Sequence, residues 1–425
     1  MTIEALHKLL LLHPKVSTDS RKIPDNGIFF ALKGPNFNGN AFAREALEKG
    51  AALAVVDEAA HGVGEGIVLV EDVLQCLQQL ATYHREYCKT PVIALTGSNG
   101  KTTTKELIAG VLRKRYDTLA TEGNLNNHIG VPLTLLRLRP ETELAVVEMG
   151  ANHQGEIGFL CSLAKPDYGY ITNFGKAHLE GFGGVEGVIK GKSEMYDHLT
   201  ANGKTVFMNA DDPIQQQKLE RYPHTVAFSA KDPSRYLIPF LGANPFVELE
   251  VEGTRIHTRL MGAYNFANCA AAALIGHYFD VPAEDICQAL EAYTPSNNRS
   301  QLLERGSLRI ILDAYNANPT SMSAALEHFR QLGAPKKIAI LGDMFELGPE
   351  AGSEHLAIGQ LAETLGLDRL YLVGANFRAT GLPDARYPDF EALKAELSQR
   401  PLEGPATVLI KGSRGMALER VLDCL

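Results

Sequence analysis

The apolar run Val92-Ile93-Ala94-Leu95 passes directly into Thr96-Gly97-Ser98-Asn99-Gly100-Lys101-Thr102-Thr103-Thr104. A strand that turns through glycines into a helix belongs in an open α/β sheet, with the turn at the ligand-binding end of the strand. Glycines let backbone N–H groups face inward around phosphate oxygens, and the helix N-terminus adds positive potential. A lysine at the helix start supplies a point charge, and the threonine after it supplies a hydroxyl suited to magnesium. Gly97, Ser98, Asn99, Gly100, Lys101, Thr102 and Thr103 are therefore candidate phosphate-binding residues, with Thr102 also a candidate metal ligand. The common form of this loop would place glycine at position 95, where this chain has Leu95, so only two residues separate the glycines. Such a loop does not name a reaction, because GTPase switches, kinases and ligases all use one.

Around the loop the sequence alternates between strand-like and helix-like segments. Strands are expected at Val92 to Leu95, Leu144 to Val147, Tyr168 to Thr172 and Val206 to Met208, and a helix over Lys101 to Arg115. Alternation of this kind implies a parallel sheet covered by helices. Phe246 to Leu260 alternates around Glu252-Gly253 and predicts an antiparallel hairpin attached to that sheet. At 425 residues the chain exceeds one ordinary core, and three units are expected. Residues 1–88 read as a small α/β unit, with strands over Gly27 to Leu32 and Leu53 to Val56, a helix near 41–49, and a helical stretch Val73 to Cys88 closing it before Pro91. Residues 89–296 form the central unit. The turn-forming run Tyr293 to Asn298 marks a second linker, and residues 297–425 form a third unit with strands near Ile310 to Asp313, Ile338 to Leu341, Leu370 to Val373 and Val408 to Ile410.

Composition excludes several classes. With 45% hydrophobic and 21% charged residues the chain can bury a core, unlike a disordered sequence. A net charge of −9 offers no broad basic surface, so no nucleic-acid partner is expected and any anion must be held locally. The six cysteines are scattered without a CxxC pair, which argues against a zinc site or disulfide framework and favours a reducing, cytoplasmic setting. The apolar run Leu9 to Leu12 is interrupted by His13, Pro14 and Lys15, and no stretch approaches the roughly 20 residues needed to cross a bilayer, so no membrane partner is expected.

Further polar groups fall at strand ends. Glu148 closes Ala145-Val146-Val147, as a metal ligand or as an ordinary cap or surface charge. His178 follows Ile171-Thr172-Asn173-Phe174-Gly175-Lys176, and Lys192 sits on a helical stretch where, by itself, it reads as a solvated charge. Asn265 and Asn268 read as helix caps. Asp313-Ala314-Tyr315-Asn316-Ala317-Asn318-Pro319 is a polar strand-to-helix turn with proline near the helix start. Lys411-Gly412-Ser413-Arg414 is a basic turn that reads either as an exposed helix start or as a ligand contact.

The loop Thr-Gly-Ser-Asn-Gly-Lys-Thr-Thr together with these stretches resembles the Mur ligases and their relatives the folylpolyglutamate synthetases. The resemblance covers nearly the whole chain. It implies a central P-loop-type, mostly parallel sheet domain flanked by a small N-terminal α/β domain and a C-terminal Rossmann-like α/β domain. It further implies ATP as substrate with two Mg2+ ions, held by Thr102, Glu148, His178 and a carbamylated Lys192. Catalytic roles fall to Lys101, Lys192 and His178. Asn268 would contact adenine, Arg299 the nucleotide phosphates and Asp313 the ribose. Tyr264 stands where the family usually has histidine.

Four stretches favour the family's D-alanyl-D-alanine-adding branch: Thr121 to Pro132, Glu148 to Ile157, the Asp313 turn, and Leu341 to Gly348 with His355. The implied substrates are UDP-N-acetylmuramoyl-tripeptide and D-alanyl-D-alanine, with Asn124, Asn127, Asn316, Asn318, Lys411 and Arg414 as substrate contacts, and a monomer is expected. Ser20 and Arg21, in Ser17-Thr18-Asp19-Ser20-Arg21, resemble the part that holds the UDP moiety, although Phe37-Asn38-Gly39-Asn40 departs from the family's usual Phe-Asp-Gly-His. Because nucleotide candidates divide between the central and third units, the linker is expected to let the third unit close. The rival readings are another ligase of this superfamily, and a nucleotide switch or kinase built on the same loop.

Overall fold

The computed structural model describes residues 1–296 and 298–425; Asn297, where the third unit was expected to begin, lies outside the described residues. The central unit holds a seven-stranded sheet in which every neighbouring pair is parallel. Val92–Thr96 lies inside it, between Tyr168–Ile171 and Leu144–Glu148. All five of its residues are buried, as expected of a strand covered on both faces. The chain first winds towards the Thr118–Ala120 edge and then crosses to Tyr168–Ile171 on the other side, so the winding reverses at the strand that carries the glycine loop. Reversal points open a crevice at the carboxyl ends of strands, and that crevice locates the site.

Expected strands appear within a residue of their ranges: Val92–Thr96, Leu144–Glu148, Tyr168–Ile171 and Thr205–Asn209. Three more, Thr118–Ala120, Thr225–Ser229 and Tyr236–Leu237, complete the sheet. Helix Lys101–Leu112 is covered by Phe266–Tyr278, whose Ala270 to Ala273 are all buried and let the two helices approach closely. The expected hairpin is corrected in its setting. Phe240–Ala243, Phe246–Val251 and Thr254–Met261 form a separate three-stranded antiparallel sheet, which shares a core with those helices and makes no ladder with the main sheet.

In the N-terminal unit Val16–Ser17, Ile28–Phe30, Leu53–Val56 and Ile67–Leu69 form a parallel sheet. Helix Val73–Cys88 starts at Asp72, whose carboxylate accepts from Gln75 N at 2.8 Å, and ends at Lys89 with φ 58. It belongs to both units. Val73, Cys76, Leu77, Leu80 and Ala81 give it a buried stripe at helical spacing. Further along, Arg85 donates to Ala164 O at 3.0 Å and to Asp167 Oδ2 at 2.7 Å in the central unit.

The third unit is a five-stranded sheet in which Leu308–Asp313, Ala406–Lys411, Lys337–Gly342 and Arg369–Val373 run parallel and Gln301–Arg305 adds an antiparallel edge. That edge strand was not legible in the sequence. The D-alanyl-D-alanine-type stretch Leu341 to Gly348 contributes architecture here. Asp343 accepts from the amides of Asn376 and Phe377 at 2.9 Å, and His355 Nε2 accepts from Met344 N at 2.9 Å.

Arg85 has an 8% exposed side chain, and it joins two units through a buried charge. Arg85→Ala leaves Asp167 with Lys204 at 2.7 Å, so the loss should sit at the low end for a broken buried pair, about 3 kcal/mol. Thermal unfolding followed by circular dichroism should show a midpoint lower by several degrees.

Candidate active site

The glycine loop is held from behind by side chains of the next strand end. Ser98 N donates to Asn173 O at 3.0 Å, Asn99 N to Asn173 Oδ1 at 3.1 Å, and the Thr172 hydroxyl to Asn99 O at 2.6 Å. These bonds set a backbone that only glycine accepts at two positions. Gly97 has φ 142, where a Cβ would collide with the Thr172 hydroxyl; Gly100 has φ 79, and a Cβ there would stand 2.7 Å from Asn268 Oδ1. Asn268 in turn accepts from the Thr104 hydroxyl at 2.9 Å and donates to Asn265 Oδ1 at 2.7 Å. In this structure Asn268 therefore braces the loop. Its amide keeps a second N–H and a second oxygen lone pair for a further contact.

Lys101 folds back onto the loop, donating to Gly97 O at 2.7 Å and Ser98 O at 3.3 Å. Burial lowers its pKa, with nearby Glu148 opposing and Arg299 reinforcing the shift. Glu148 ends its strand at 1% exposure. Its Oε1 accepts from Asn126 Nδ2 at 2.8 Å, while its Oε2 is buried without a hydrogen-bond partner. A bare carboxylate oxygen in that position costs free energy unless a cation meets it. Among the described residues no three His, Cys, Asp or Glu side chains converge. A magnesium ion suits such a set, because it is ordinarily held by one or two carboxylates together with substrate phosphates. Glu148 and Thr102 fit that demand.

Lys192 is 1% exposed, so the solvated-charge reading of this residue is overturned. Its Nζ donates to Ala151 O at 3.0 Å and lies 4.8 Å from the Phe182 ring centre. Desolvation holds its amine well below the ordinary lysine range, and the charge of Lys101 pushes the same way. His178 has φ 53 and pairs through Nδ1 with Glu346 of the third unit; this hydrogen bond holds the Glu346 carboxyl below its ordinary range.

The third unit closes the opposite side. Asn318 caps helix Pro319–Gln331 and reaches across to the loop, donating to Asn99 Oδ1 at 2.7 Å. Thr320 Oγ1 accepts from Lys176 N at 2.9 Å, and Lys176 Nζ meets Glu354 at 2.5 Å. Between the walls lies a cavity of about 540 Å³. Its lining includes Ser98 to Thr103 and Glu148 from the central unit, and Arg299, Asp313, Asn316 and Lys411 from the third.

Three Mur ligase family models match in chain order: the family's catalytic domain at 15–85, the middle domain at 95–276 and the glutamate ligase domain at 298–414. A UDP-N-acetylmuramoyl-tripeptide–D-alanyl-D-alanine ligase of Bacillus subtilis (strain 168) is 35% identical, over 96% of this chain and 92% of its own. The chain belongs to the Mur ligase family. Among solved structures, MurF from Acinetobacter baumannii is similar with a TM-score of 0.84 and 32% identity, covering 96% of this chain and 92% of its own. MurF ligase from Thermotoga maritima, determined in complex with ADP, has a TM-score of 0.83 and 27% identity, covering 98% of this chain and 97% of its own.

Among the residues expected from the Mur ligase resemblance, Asn124, Asn127, His178, Asn268, Arg299, Asp313, Asn316, Asn318 and Lys411 all line the cavity with the loop and Glu148. Several hold one another. Asn127 Oδ1 accepts from Ile129 N at 3.1 Å and Gly130 N at 2.9 Å, shaping the turn that leads into helix Gly130–Leu135. Arg299 stacks on Tyr315 at 3.6 Å from the ring centre. The exposed-turn reading of Lys411 is corrected: it is 2% exposed and pairs with Asp313 at 2.5 Å. Arg414 is exposed, pairs with Glu419 at 2.9 Å and does not line the cavity. Ser20 and Arg21 also lie outside that lining; Arg21 instead forms a two-bond pair with Asp19 at 2.9 Å. Asn40 is fully buried and bonded to Asp57, which makes this departure a structural one. Tyr264, in the family's histidine position, shares a 3.1 Å hydrogen bond with Ser300 and so joins the two units. Asn126, Asn173 and Glu346 support the site without a motif of their own, Asn126 and Glu346 through the side chains of Glu148 and His178 and Asn173 through the backbone of Asn99.

Burial lowers the pKa of an unmodified Lys192 well below its unfolded value of 10.5, so between the two values unfolding takes up a proton and stability rises with pH towards 10.5. In CO2-depleted, ligand-free buffer Lys192→Met should melt at or above the parent at pH 7, and this advantage should shrink as pH rises. A fall in melting temperature of several degrees would contradict the buried-amine reading.

Proposed function

We propose that the protein is an ATP-dependent ligase that joins D-alanyl-D-alanine to UDP-N-acetylmuramoyl-tripeptide, making the pentapeptide precursor of peptidoglycan. The observation that carries this reading is one cavity with a phosphate loop on one wall and the strand ends of a second α/β unit on the other. A nucleotide switch or a simple kinase leaves that second wall without a role. The names of the relatives matched along nearly the whole chain support the same substrates.

A carboxylate is a poor electrophile, so the order of steps follows from chemistry. An oxygen of the tripeptide's terminal carboxylate attacks the γ-phosphorus of ATP, the bond to the bridging oxygen breaks, and ADP leaves. The resulting acyl phosphate is neutral at its carbonyl. The D-alanyl-D-alanine amine attacks that carbon, loses a proton and expels phosphate.

Lys101, the loop amides and the helix start oppose charge on the transferred phosphoryl group, so catalysis is positioning and electrostatics. Thr102 and Glu148 would hold magnesium, with His178 and a carbamylated Lys192 serving a second ion. Bound magnesium supplies further neutralisation of phosphate oxygens. Burial against Phe182 pushes the Lys192 amine towards the uncharged form that carbamylation by CO2 requires. Arg299 and Asp313 meet the nucleotide from the third unit, and a ligand touching both units favours the closed state. Lys411 orients Asp313 through their 2.5 Å ion pair. The protein is proposed to act in the cytosol as a monomer; its six free cysteines suit a reducing compartment.

Incubation with ATP, D-alanyl-D-alanine and UDP-tripeptides carrying lysine or diaminopimelate, read by mass spectrometry, should give the pentapeptide with one ADP per amide formed. Products with single amino acids in place of the dipeptide would assign the chain to another branch. Lys101→Ala should lower turnover at least 100-fold, the scale set by loss of one preorganised charge contact, with an unchanged melting curve. Near-normal phosphate release from that variant would sink the nucleotide-site assignment.

A further inference from the structure

A second cavity, of about 550 Å³, opens along the phosphate-loop helix and shares no lining residue with the first. Glu106, Ala109, Gly110, Arg113 and Lys114 line it at helical spacing, Ala120 to Gly123 and Arg137 form a second wall, and Ala289, Ala292 and Tyr293 a third. Four cations, Lys105, Arg113, Lys114 and Arg137, stand there against two carboxylates, Glu106 and Glu122, in a chain whose net charge is −9. The carboxylates are already engaged. Glu122 pairs with Arg137 at 2.6 Å, and Glu106 accepts from the Tyr293 hydroxyl at 2.7 Å with Lys105 at 3.8 Å. Arg113 and Lys114 are exposed and have no carboxylate partner among the described residues. Arg113 donates only to Thr118 O at 3.3 Å, and Lys114 to Gln288 Oε1 at 3.2 Å.

Gly110 adds an independent observation. Glycine weakens a helix interior, and it is ordinarily kept where φ is positive or a neighbour excludes a Cβ. Neither applies here: Gly110 is helical with no left-handed φ, and a Cβ on it would meet nothing within 4 Å. The space a side chain would fill is the cavity itself.

We propose that this groove binds a small phosphorylated molecule, with its phosphate on Arg113 and Lys114 and its body over Gly110 towards Tyr293. A dianion with several acceptor oxygens suits a guanidinium and an ammonium lining one groove better than a single carboxylate does. A bare phosphate ion would leave most of the volume unfilled. The occupant has a route to the active site through two of the walls. Lys105 donates to Thr121 O at 2.7 Å, and the Thr121 hydroxyl accepts from Glu148 N at 3.0 Å. Tyr293 opens the linker to the third unit.

The test is isothermal titration of the full chain with glucose 6-phosphate, ribose 5-phosphate and inorganic pyrophosphate, with glucose as the uncharged arm. A non-hydrolysable ATP analogue present throughout keeps phosphates off the glycine loop. One phosphorylated probe should bind with one-to-one stoichiometry and glucose should not. Arg113→Glu with Lys114→Glu should weaken binding at least tenfold, and Gly110→Leu should do the same by filling the floor, both with unchanged melting midpoints. Binding that survives both variants overturns the proposal, as does the absence of binding by all three phosphorylated probes. Neither outcome depends on whether the chain ligates D-alanyl-D-alanine.

Discussion

Lys101 and Lys192 both lie near the ends of the central strands, where burial disfavours the ammonium form of each and the charge of Lys101 adds to the effect on Lys192. The fold answers by asymmetry. Lys101 keeps carbonyl partners and the neighbourhood of Glu148, whereas Lys192 has a single carbonyl and the face of Phe182. Burial disfavours the ammonium form of both, and it does so more strongly at Lys192. The Oε2 of Glu148, near Lys101, is buried without a hydrogen-bond partner and so leaves a place for a further cation.

That charge arrangement rests on neutral groups. Asn173 and Thr172 hold the glycine loop by amide and hydroxyl bonds, Asn268 packs against Gly100, and Asn126 aims Glu148. Amides fix geometry without adding charge, so the loop is shaped before its ligand arrives and its potential is left to Lys101 and the helix start. An ionic residue in any of these supporting places would compete with phosphate or with magnesium.

The alternation of apolar strands with glycine turns and helices carried the central and third sheets, because parallel strands buried on both faces read as unbroken apolar runs such as Val92 to Leu95 and Ile338 to Leu341. Edge strands escaped notice for the same reason. Gln301–Arg305 and Thr118–Ala120 are short and partly exposed, so their patterns carry less apolar signal. Site residues were legible where a backbone motif announced them, as Lys101 and Asn318 were. Lys192 shows the limit. Its burial depends on Phe182 and Ala151, which are distant in sequence, and nothing in the local helix pattern distinguishes it from the exposed Lys190 two residues earlier.

The seam between the central and third units is built differently from the seam at Arg85. Where the N-terminal unit is joined, a buried guanidinium spans the interface and would leave an unpaired charge if the units parted. Across the active site the joints include the Asn99–Asn318 amide pair, the Thr320 hydroxyl on Lys176 N, and ion pairs whose members reach solvent. Water can replace every one of these at little cost, since exposed pairs and single neutral hydrogen bonds each contribute about 1 kcal/mol or less. The chain therefore places its durable interface away from the reaction and its exchangeable one across it. Asn99 sits on the phosphate loop itself, so a nucleotide that draws its amide away also loosens one bond to the third unit. On the proposed function, Arg299 and Asp313, which line the same cavity, would then offer that unit a new hold through the ligand.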